Sequence, residues 1–404
     1  MPSRSRSTER DTAALPAETE VAVIGGGIAG CAALSYLTRA GCAATLLERG
    51  SVNRGASGGT GSNLHLQLSR YTEGMTRWKQ DRLSDRELYL HRVNARLHLA
   101  AAALWRDLET ELDTDLGVRT PGGLMVAETE LECRMLEAKS ALENRIGIES
   151  VMLTGAEARA VEPALSPAVL AALHCPGEGF ANALRAAPAF AADAVRRGAR
   201  VIEGAGVTAI EPDGAAYRIR LGRATVRART VVNAAGWESA AVAALVGTSL
   251  PVKSRYLQVC VTEPWEPVLG HYIAHATRRL TLKQMPAGQF LLSGGWPGEE
   301  SPEPGGRGRV LADSMRGSAA VALRVIPALR EVTIRRTWVA KTLYNDGNAT
   351  ILGRDPRLPG FFHLVPLTAG FALAPVLGRL LAELVQGRPS SLDIEPFAVG
   401  RPTS

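Results

Sequence analysis

The chain has few cysteines and none of the patterns in which cysteine carries chemistry. There are five in 404 residues, an odd number, and no two are spaced as C-x-x-C. Scattered single cysteines argue against a disulfide framework, a structural zinc site and a dithiol redox centre, so we expect buried thiols. The five are Cys31, Cys42, Cys133, Cys175 and Cys260.

The sequence also lacks long apolar runs and metal-ligand spacings. No window of about 18 apolar residues offers a membrane span, and the basic opening "MPSRSRSTER" is not followed by the apolar segment of a secretory signal. The seven histidines are dispersed, without an H-E-x-x-H spacing, so no metal is predicted. We therefore interpret residues 1–18 as a disordered tail and expect a cytoplasmic protein without a membrane span.

After this tail, no stretch of the sequence is predominantly basic or predominantly acidic. The formal net charge is +6, but the basic residues are interspersed with acidic ones, so nucleic acid is not an expected partner. The 46% apolar and 21% charged residues, with 41 glycines and 23 prolines, are typical of a folded α/β protein. A length of 404 residues suits two domains.

The sequence does contain a complete strand, turn and helix around "VAVIGGGIAG", residues 21–30. The apolar run predicts a buried parallel strand, and "IAGCAALSYLTRAG" predicts a helix that Gly41 ends. Gly25 permits a tight turn, Gly27 lets backbone N–H groups approach a pyrophosphate, and Gly30 lets helix and strand pack closely. Because the N-terminal end of the helix is partly positive, the unit predicts a dinucleotide site.

An acidic residue follows at the distance that such a site requires. The second predicted strand, "AATLLE", brings Glu48 to its carboxyl end, where the carboxylate can accept hydrogen bonds from ribose hydroxyls. An acid there, without a nearby arginine pocket, disfavours a 2′-phosphate. The motif alone leaves both FAD and NAD open.

The loop after Glu48 favours FAD. Residues 51–67, "SVNRGASGGTGSNLHLQ", form a small polar loop instead of the next β-α unit of an NAD domain. The hydroxyls of Ser57, Thr60 and Ser62, with the backbone N–H groups that the glycines expose, suit the pyrophosphate and flavin end of an extended FAD. A flexible surface linker is the alternative interpretation.

Further elements can be predicted from local patterns. Ser84 and Glu87 form a capping box that opens a helix running to about Leu112. The stretches "GGLMVAETE", "YLQVCVTE", "LTLKQ" and "QFLLSGG" predict strands of a second domain. Near the C-terminus, the strand "FFHLVP" and the turn "LTAG" precede a helix expected from about Ala374, with Pro375 in its first turn.

Several separated segments make the sequence resemble the FAD-dependent D-amino-acid oxidase superfamily. They are "VAVIGGGIAGCAALSYLTRAGCAATLLERG", "GASGGTGSNLH", "CPGEGFANALRAAPAFAADAVRRGARV", "VVNAAGWESAAVAALVG", "LTLKQMPAGQFLLSGGWP" and "GFALAPVLGRLLAELVQG". They occur in the order found in the family. Within it, the chain is similar to the branch of glycine, sarcosine and opine oxidases and the β subunits of proline dehydrogenases.

The resemblance implies an α/β fold with an α+β part: a Rossmann-like FAD-binding domain and a second, antiparallel-sheet substrate domain. The FAD-binding domain would comprise residues 19–66, 150–250 and 338–392, and the substrate domain, or cap, residues 67–149 and 251–337. The implied cofactor is FAD. The residues expected to bind it are Gly25, Gly27, Ile28, Ala29, Gly30, Glu48, Arg49, Ser57, Thr60, Gly61, Ser62, Asn63, Leu64, Val207, Ala235, Gly236, Trp237, Gly353, Gly370 and Phe371.

In this family a C–N bond next to a C–H is dehydrogenated by hydride transfer to flavin N5, and water hydrolyses the imine. The implied partners are a small amine or amino-acid substrate and a partner subunit or a second copy of the chain. Because the cofactor carries the redox chemistry, an obligatory acid or base need not exist. The catalytic candidates are His65, Lys283, Trp338 and Lys341, and the substrate-binding candidates are Tyr256, Gln258, Lys283, Trp338 and Thr368, although strand alternation leaves the facing side open.

Two motifs depart from the family's pattern. Members that act on small α-amino acids carry W-x-G-x-R-P, whose arginine clamps the substrate carboxylate. Here "WVAKTL" keeps Trp338 but has Ala340, Thr342 and Leu343 in place of the other three, and "TAGF" has Ala369 where G-H-G-F has histidine. Either another cation binds the carboxylate, or the substrate is a larger secondary amine, an opine-like conjugate or a carrier-bound intermediate. The candidate cations are Lys341, Lys283 and Arg70.

Other classes of function are weighed against this one. A flavin monooxygenase would carry a late G-D motif, and a disulfide reductase a second dinucleotide motif with C-x-x-C, and the sequence has neither. The first fifty residues alone would also fit an NAD-dependent dehydrogenase. Because the arginine of W-x-G-x-R-P and the histidine of G-H-G-F are both replaced, the chain could also be a flavin-binding subunit that works only beside a partner. The choice between oxidase and dehydrogenase also stays open.

Overall fold

The computed structural model describes residues 15–68, 83–302, 308–346, 349–367 and 369–400. Its strands are β1 (Glu18–Ile24), β2 (Ala44–Leu47), β3 (Asn63–Leu64), β4 (Gly123–Ala127), β5 (Val151–Thr154), β6 (Ala171–Cys175), β7 (Gly179–Phe180), β8 (Arg200–Ile202), β9 (Ala209–Asp213), β10 (Ala216–Leu221), β11 (Ala224–Asn233), β12 (Lys253–Pro264), β13 (Tyr272–His275), β14 (Thr281–Gln284), β15 (Gln289–Pro297), β16 (Ile334–Tyr344), β17 (Ile351–Arg354) and β18 (Phe361–Val365). Its helices are α1 (Ile28–Arg39), α2 (Ala56–Gly59), α3 (Asp85–Leu112), α4 (Glu130–Ile146), α5 (Gly155–Val161), α6 (Ala186–Arg196), α7 (Ser239–Ala244), α8 (Ala312–Val325) and α9 (Gly370–Val385).

The first sheet is built around β1, whose end "VAVI" is buried. The strand order is β17-β18-β11-β1-β2-β8, with parallel pairing from β18 through to β8. Strand β17 is antiparallel to β18, and the β9–β10 hairpin joins the side of β11. Strands with apolar residues on both faces suit a parallel sheet covered by helices, so the predicted Rossmann-like α/β arrangement is confirmed.

Three helices, α1, α6 and α9, pack together in the core beside this sheet. Small residues let α1 and α9 approach closely: a Cβ added at Gly378 would lie 2.8 Å from the carbonyl carbon of Ala32. A buried polar contact joins α1 to α6, because the Ser35 hydroxyl donates to Asp193 at 2.6 Å and Arg39 Nε donates to the same oxygen at 3.0 Å. These contacts fix the C-terminal half of α1 against α6.

The second sheet has the order β16-β12-β15-β14-β13-β4-β6-β5. Its pairs are antiparallel except for β13 and β4, which run parallel. Apolar side chains on one face, such as Leu282 and Phe290, pack against Ala322 and Val325 of α8. The opposite face is free to line a cavity between the two sheets.

Sheet membership differs from the expected domain division at two places. Strands β5 and β6, within residues 151–175, pair with β4 in the second sheet, although residues from 150 onward are predicted for the FAD-binding domain. Strand β16 pairs along β12, which places residues 338–344 in the second sheet as well. In both cases the backbone groups are satisfied by a strand that is distant in sequence, and periodicity does not specify which strand that is.

Several local predictions can be compared with the structure. The Ser84–Glu87 capping box and the helix end at Leu112 are confirmed in α3. The predicted start of the last helix at Ala374 is wrong, because α9 begins at Gly370, directly after a left-handed Ala369 with φ of 56°. Pro375 therefore lies in the second turn, where it removes one helical hydrogen bond.

The predictions of buried thiols and of no membrane span can both be compared with the described residues. Cys31, Cys42, Cys175 and Cys260 are buried free thiols, as expected, and Cys133 is half-buried. Among the described residues, no helix is both long enough and apolar enough to cross a membrane.

Candidate active site

The glycine turn after β1 is as tight as the motif predicts. Gly25 has φ of +114°, a conformation that side chains rarely adopt, and a Cβ there would lie 2.5 Å from the carbonyl oxygen of Ala234. A Cβ at Gly30 would run into the carbonyl oxygen of Gly25. Helix α1 can therefore start directly at the end of the strand only with glycine at these positions.

Glu48 braces this turn from the end of β2. Its Oε2 accepts a hydrogen bond from the Gly26 N–H at 2.6 Å, and its Oε1 accepts one from the Gly50 N–H at 2.6 Å. Each carboxylate oxygen keeps a second lone pair, so the predicted contact with ribose hydroxyls stays a prediction. Glu48 is thus already committed to positioning the turn.

Two other predicted residues lie near Glu48. The guanidinium of Arg49 pairs with Glu238 at 2.5 Å, which links β2 to the turn after β11. A Cβ added at Gly206, next to Val207, would lie 3.3 Å from Arg49 Cγ. Arg49 and Val207 are therefore neighbours at the carboxyl edge of the first sheet.

The N-terminus of α1 faces a large cavity. Gly27 is its N-cap residue and provides no side-chain cap, while the Ile28 N–H donates to the Ser57 hydroxyl at 3.0 Å. Gly27, Ile28 and Ala29 all line the cavity. Backbone N–H groups at a helix N-terminus, together with a hydroxyl, form a favourable environment for phosphate oxygens.

The cavity has a volume of about 1360 Å³ and extends from this turn to the second sheet. Eleven of the predicted cofactor residues line it: Gly27, Ile28, Ala29, Ser57, Thr60, Gly61, Asn63, Gly236, Trp237, Gly370 and Phe371. The other predicted residues lie outside its described lining: Gly25, Gly30, Glu48, Arg49, Ser62, Leu64, Val207, Ala235 and Gly353. The structure thus brings most of the predicted loop residues together around one space.

The loop of residues 55–63 forms the wall between the cavity and the second sheet. A Cβ added at Gly59 would lie 3.1 Å from Ala340 Cβ, and one at Gly61 would lie 2.7 Å from the Ser293 hydroxyl. The glycines therefore let the loop backbone lie directly on β15 and β16. An elongated cavity with a helix N-terminus, a glycine loop and hydroxyls along its wall fits an extended dinucleotide such as FAD.

The start of α9 also faces the cavity. Ala369, Gly370, Phe371 and Leu373 line it. The Phe371 ring stacks on Trp105 with centroids 5.3 Å apart, and Trp105 Nε1 donates to the Ala372 carbonyl at 2.7 Å. The predicted helix N-terminus is therefore present at the cavity, and it begins earlier than expected. Thr368, a predicted substrate-binding residue, and Arg70 lie outside the described residues.

Lys283 lies behind the loop and not in the cavity. Its side chain is buried, and its ammonium donates to the Gly61 carbonyl and to Asn63 Oδ1, the latter at 2.8 Å. Burial lowers the pKa of the ammonium well below its ordinary value. Among the described residues it is not part of the cavity lining, so its position does not match the predicted substrate contact. It holds the loop from the side of the second sheet.

Trp338 also holds the loop. Its indole Nε1 donates to the Gly59 carbonyl at 2.9 Å. Successive side chains of a β-strand point to opposite faces of the sheet. Ala340 and Thr342, two and four residues after Trp338 on β16, therefore share its face. Both line the cavity.

Tyr256 and Lys341 have their polar groups bonded away from the cavity, and Gln258 has one of its two amide atoms bonded there. The Tyr256 hydroxyl bonds to Glu300, and the Lys341 ammonium lies 3.5 Å from the same carboxylate. Gln258 is buried, and its Oε1 accepts from the Leu311 N–H at 2.9 Å. Gln258 and Lys341 border the cavity. The Lys341 ammonium is directed to Glu300, contrary to its predicted substrate contact. Gln258 Nε2 is buried without a partner among the described residues, so the substrate contact of Gln258 stays a prediction.

His65 does reach the cavity, as expected. Its Nδ1 lies 3.8 Å from Glu178, and its ring packs edge-on against Tyr272 with centroids 5.3 Å apart. Glu178 is buried and accepts from the Gln67 N–H at 3.0 Å. Burial would raise the pKa of this carboxyl, but His65 and the backbone N–H group outweigh it, so the pKa is lowered and Glu178 stays ionised.

Sequence reasoning missed three arginines that line the cavity, Arg86, Arg255 and Arg279. The Arg255 guanidinium lies 5.6 Å from the centroid of the Tyr344 ring, and Arg279 lies 5.9 Å from that of Trp296. Alternation along β12 could have indicated Arg255, because it is out of phase with Tyr256 and Gln258. Burial lowers the pKa of Arg255, yet a guanidinium remains charged at neutral pH.

Comparison with known proteins identifies the class. The model of the FAD dependent oxidoreductase family matches residues 20–384. The chain therefore belongs to the FAD-dependent oxidoreductase family, and its cofactor is FAD.

Individual relatives span nearly the whole chain. It is 26% identical over 408 residues to a subunit of opine oxidase from Agrobacterium tumefaciens (strain Ach5), covering 95% of this chain and 98% of that one. It is 26% identical over 392 residues to glycine oxidase of Geobacillus kaustophilus (strain HTA426), covering 95% and 97%.

Solved structures show the same fold. The crystal structure of glycine oxidase from Geobacillus kaustophilus matches with a TM-score of 0.84 at 25% identity, covering 96% of this chain and 100% of that one. L-Proline dehydrogenase from P. horikoshii matches with a TM-score of 0.82 at 22% identity, covering 95% and 97%.

Proposed function

We propose that the protein dehydrogenates the C–N bond of an amino acid or of a secondary amine, giving an imine. One observation carries the proposal: a single cavity runs from the N-terminus of α1, past the glycine loop, to His65 and the polar face of the second sheet. It thus offers a dinucleotide end and a separate end for a small polar molecule. The names of the relatives, glycine oxidase and an opine oxidase subunit, support an amine as that molecule.

The reaction removes a hydride from carbon and a proton from nitrogen, so that the C–N single bond becomes C=N. Water then adds to the imine and gives a carbonyl compound and an amine or ammonia, or a single amino-carbonyl compound when the substrate is cyclic. FAD, when bound, supplies the acceptor for the hydride with its two electrons. The protein's own part is to hold the cofactor and to bind the substrate with its amine neutral and its C–H bond oriented.

At the cofactor end, we assign phosphate binding to the backbone N–H groups of Gly27 and Ala29, on either side of the Ile28 N–H that donates to Ser57. Glu48 and Ser57 act there through the turn, because both hold backbone N–H groups of residues 26–28. The N-terminal end of α9 brings partial positive charge to the cavity and would stabilise negative charge that develops beside it.

At the substrate end, His65 is the side chain best placed to accept the amine proton. It lines the cavity and lies beside the buried, ionised Glu178, which would stabilise the imidazolium formed by that transfer. Trp338, Lys283, Tyr256 and Lys341 are not assigned to substrate binding, because their polar groups bond within the protein. Gln258 stays a candidate, because its buried Nε2 has no partner among the described residues.

The test is anaerobic reduction of the bound flavin. The purified chain would be mixed without oxygen with glycine, sarcosine, L-proline, D-alanine and N-(1-carboxyethyl) amino acids in turn, and the flavin absorbance followed. Bleaching by at least one of these classes is expected. The proposal would be contradicted if flavin binds and none of these compounds bleaches it, whether the chain is alone or mixed with partner subunits.

A second candidate is that the chain is one subunit of a heteromeric dehydrogenase. It is favoured by the alignment with the opine oxidase subunit over 98% of that protein's length. In that case the isolated chain would bind flavin without being reduced, and reduction would appear only after addition of the proteins encoded beside it.

A further inference from the structure

The cations at the cavity wall differ in whether an acid neutralises them. Arg86 lies 3.8 Å from Glu395, and Lys341 lies 3.5 Å from Glu300. Within the part of the chain that the structure describes, Arg255 and Arg279 line the cavity without an ion-pair partner. A guanidinium in a partly enclosed cavity favours an anion, so a ligand of this cavity is expected to carry one.

Arg255 has a defined position relative to β16. It is directly opposite Thr342 in the antiparallel register, and the next pair on the same face is Leu257 with Ala340. Directly opposed residues in such a pair have Cβ atoms about 5 Å apart. Arg255 and Thr342 therefore share one patch of the cavity wall, on the face from which Trp338 bonds to the glycine loop.

The surroundings of Arg255 limit the directions in which its guanidinium can point. The Tyr344 ring, two residues from Thr342 on the same face, lies 5.6 Å from Arg255 Cζ. A ring at this distance stabilises the cation and leaves the N–H groups at the guanidinium edge free to donate. Two parallel N–H groups of a guanidinium match the two oxygens of a carboxylate.

We propose that Arg255 binds the carboxylate of the substrate, acting from β12 in place of an arginine at position 342 of β16. This inference rests on the proposed function, because it assumes that the amine substrate occupies the same cavity. It assigns a carboxylate-bearing amine as the substrate class. Lys341, Lys283 and Arg70 are then not needed for this contact.

The test compares carboxylates with their primary amides in the flavin-loaded enzyme. Pyrrole-2-carboxylate and pyrrole-2-carboxamide, which are not oxidised at a C–N bond in this way, would be titrated by calorimetry and by the change in flavin absorbance. Wild-type protein should prefer the carboxylate. In Arg255→Met, carboxylate affinity should fall on the order of 100-fold while amide affinity changes little, since only the charged ligand loses its partner.

Two further variants test the geometry. Arg255→Lys keeps the charge without the two parallel donors, so its carboxylate affinity should lie between those of wild type and Arg255→Met. In the double variant Arg255→Met/Thr342→Arg, the guanidinium moves to the opposed residue, and carboxylate affinity should recover about tenfold or more relative to Arg255→Met. No recovery would overturn the claim that the two positions serve one subsite.

The matched control is Lys253→Met. Lys253 is two residues earlier on β12 and pairs with Asp346 at 2.9 Å, outside the cavity lining of the described residues. It should leave both affinities unchanged. Flavin content and melting temperature of each variant show whether it is folded; loss of flavin from Arg255→Met with unchanged carboxylate preference in the remaining holoenzyme would overturn the proposal in favour of a cofactor contact.

The remaining outcomes are equally decisive. Equal carboxylate affinity in wild type and Arg255→Met, or a loss seen in Arg279→Met instead, would overturn the assignment of Arg255. Absence of any carboxylate preference in wild type would overturn it as well. Because these titrations require no turnover, their failure is distinguishable from failure of the proposed dehydrogenation, which the anaerobic reduction tests separately.

Discussion

Glu48 shows at the scale of one residue how a motif position can serve two purposes. The motif predicts it as a ribose ligand, while the structure shows its two oxygens holding the N–H groups of Gly26 and Gly50 at 2.6 Å each. These bonds fix the turn whose N–H groups would face the FAD phosphates. Removing the charge should therefore weaken FAD binding indirectly, through the turn, as well as through any ribose contact.

We expect Glu48→Gln to lower the fraction of protein that retains FAD and to lower the free energy of unfolding by about 1.5–3 kcal/mol, the usual contribution of hydrogen bonds to a charged group. FAD content after gel filtration and urea unfolding would measure the two effects. Glu20→Gln is the control, because the exposed Glu20 carboxylate accepts one N–H bond, from Ala43, away from the turn. Retention of FAD equal to that of the control would contradict this role of Glu48.

The sequence does not show which side chains of β12 face the substrate end of the cavity. Alternation along β12 separates Arg255 and Leu257 from Tyr256 and Gln258, but it does not say which set faces the cofactor. The contact between β16 and the glycine loop, where Trp338 bonds to the Gly59 carbonyl, determines which face of the sheet lies towards the cavity. Because this contact joins parts of the chain 279 residues apart, it is not readable from the local pattern.

At the scale of elements, α1 and α9 form the closest helix pair around the cofactor end. A Cβ at Gly378 would lie 2.8 Å from the Ala32 carbonyl carbon and 2.9 Å from the Ala33 nitrogen, which are backbone atoms of a buried helix. The sequence predicts a helix here but not this need for glycine. Helix propensity alone would favour alanine at this position by about 1 kcal/mol.

We expect Gly378→Ala to destabilise the protein by about 1–3 kcal/mol, because the added methyl group forces α1 and α9 apart. Gly317→Ala in α8 is the comparison: its Cβ would meet the half-buried Trp296 side chain and not the backbone of a buried helix, so the loss should be smaller. Urea unfolding of both variants measures the difference. An increase in stability for Gly378→Ala would show that propensity outweighs packing here.

Helix α9 starts four residues earlier than its proline suggests. Pro375 suggests a first helical turn, because proline is common there. The helix instead begins at Gly370, after Ala369 in a left-handed conformation that few non-glycine residues adopt. Trp105 donates to the Ala372 carbonyl near the proline, a tertiary contact that local sequence does not reveal.

At the scale of the whole molecule, buried ionisable groups make stability depend on pH. Burial lowers the pKa values of His98, His275 and His363, so the unfolded chain binds their protons more readily than the folded protein does. The buried Glu128 carboxylate accepts from His275, Arg278 and Arg324, and these donors outweigh burial and lower its pKa.

We expect the free energy of unfolding to fall as pH drops below about 6.5, the ordinary histidine pKa, and to fall further below about 4.5 as Glu128 is protonated. Glu128→Gln should cost about 2 kcal/mol at pH 7 and flatten the lower part of the curve. Glu130→Gln, whose exposed carboxylate lies 3.8 Å from Arg134, should cost less than about 1 kcal/mol. Urea unfolding at several pH values would detect this, and constant or rising stability towards pH 5 would contradict it.

The two-sheet architecture could be predicted from the order of motifs, but the membership of single strands could not. Strand β4 pairs with β6 about fifty residues later and with β13 about 150 residues later, as in Leu124 with His174 and Ile273. Such pairing depends on backbone hydrogen bonds and shared packing, which leave no periodic signal in either strand. The glycine turn, by contrast, has a local signature, and the tight backbone at Gly25 and Gly30 was predictable from it.

The stoichiometry of C–N dehydrogenation in a single turnover is the most direct test of the proposed reaction. Flavin-loaded protein would be mixed anaerobically with one equivalent of the amine that bleaches it, and the solution analysed for the carbonyl compound and the released amine. The proposal predicts one carbonyl group and one free amine or ammonia per flavin reduced, with both groups on the same molecule when the substrate is cyclic. Reduced flavin with the amine unoxidised, or oxidised product formed without flavin reduction, would contradict it.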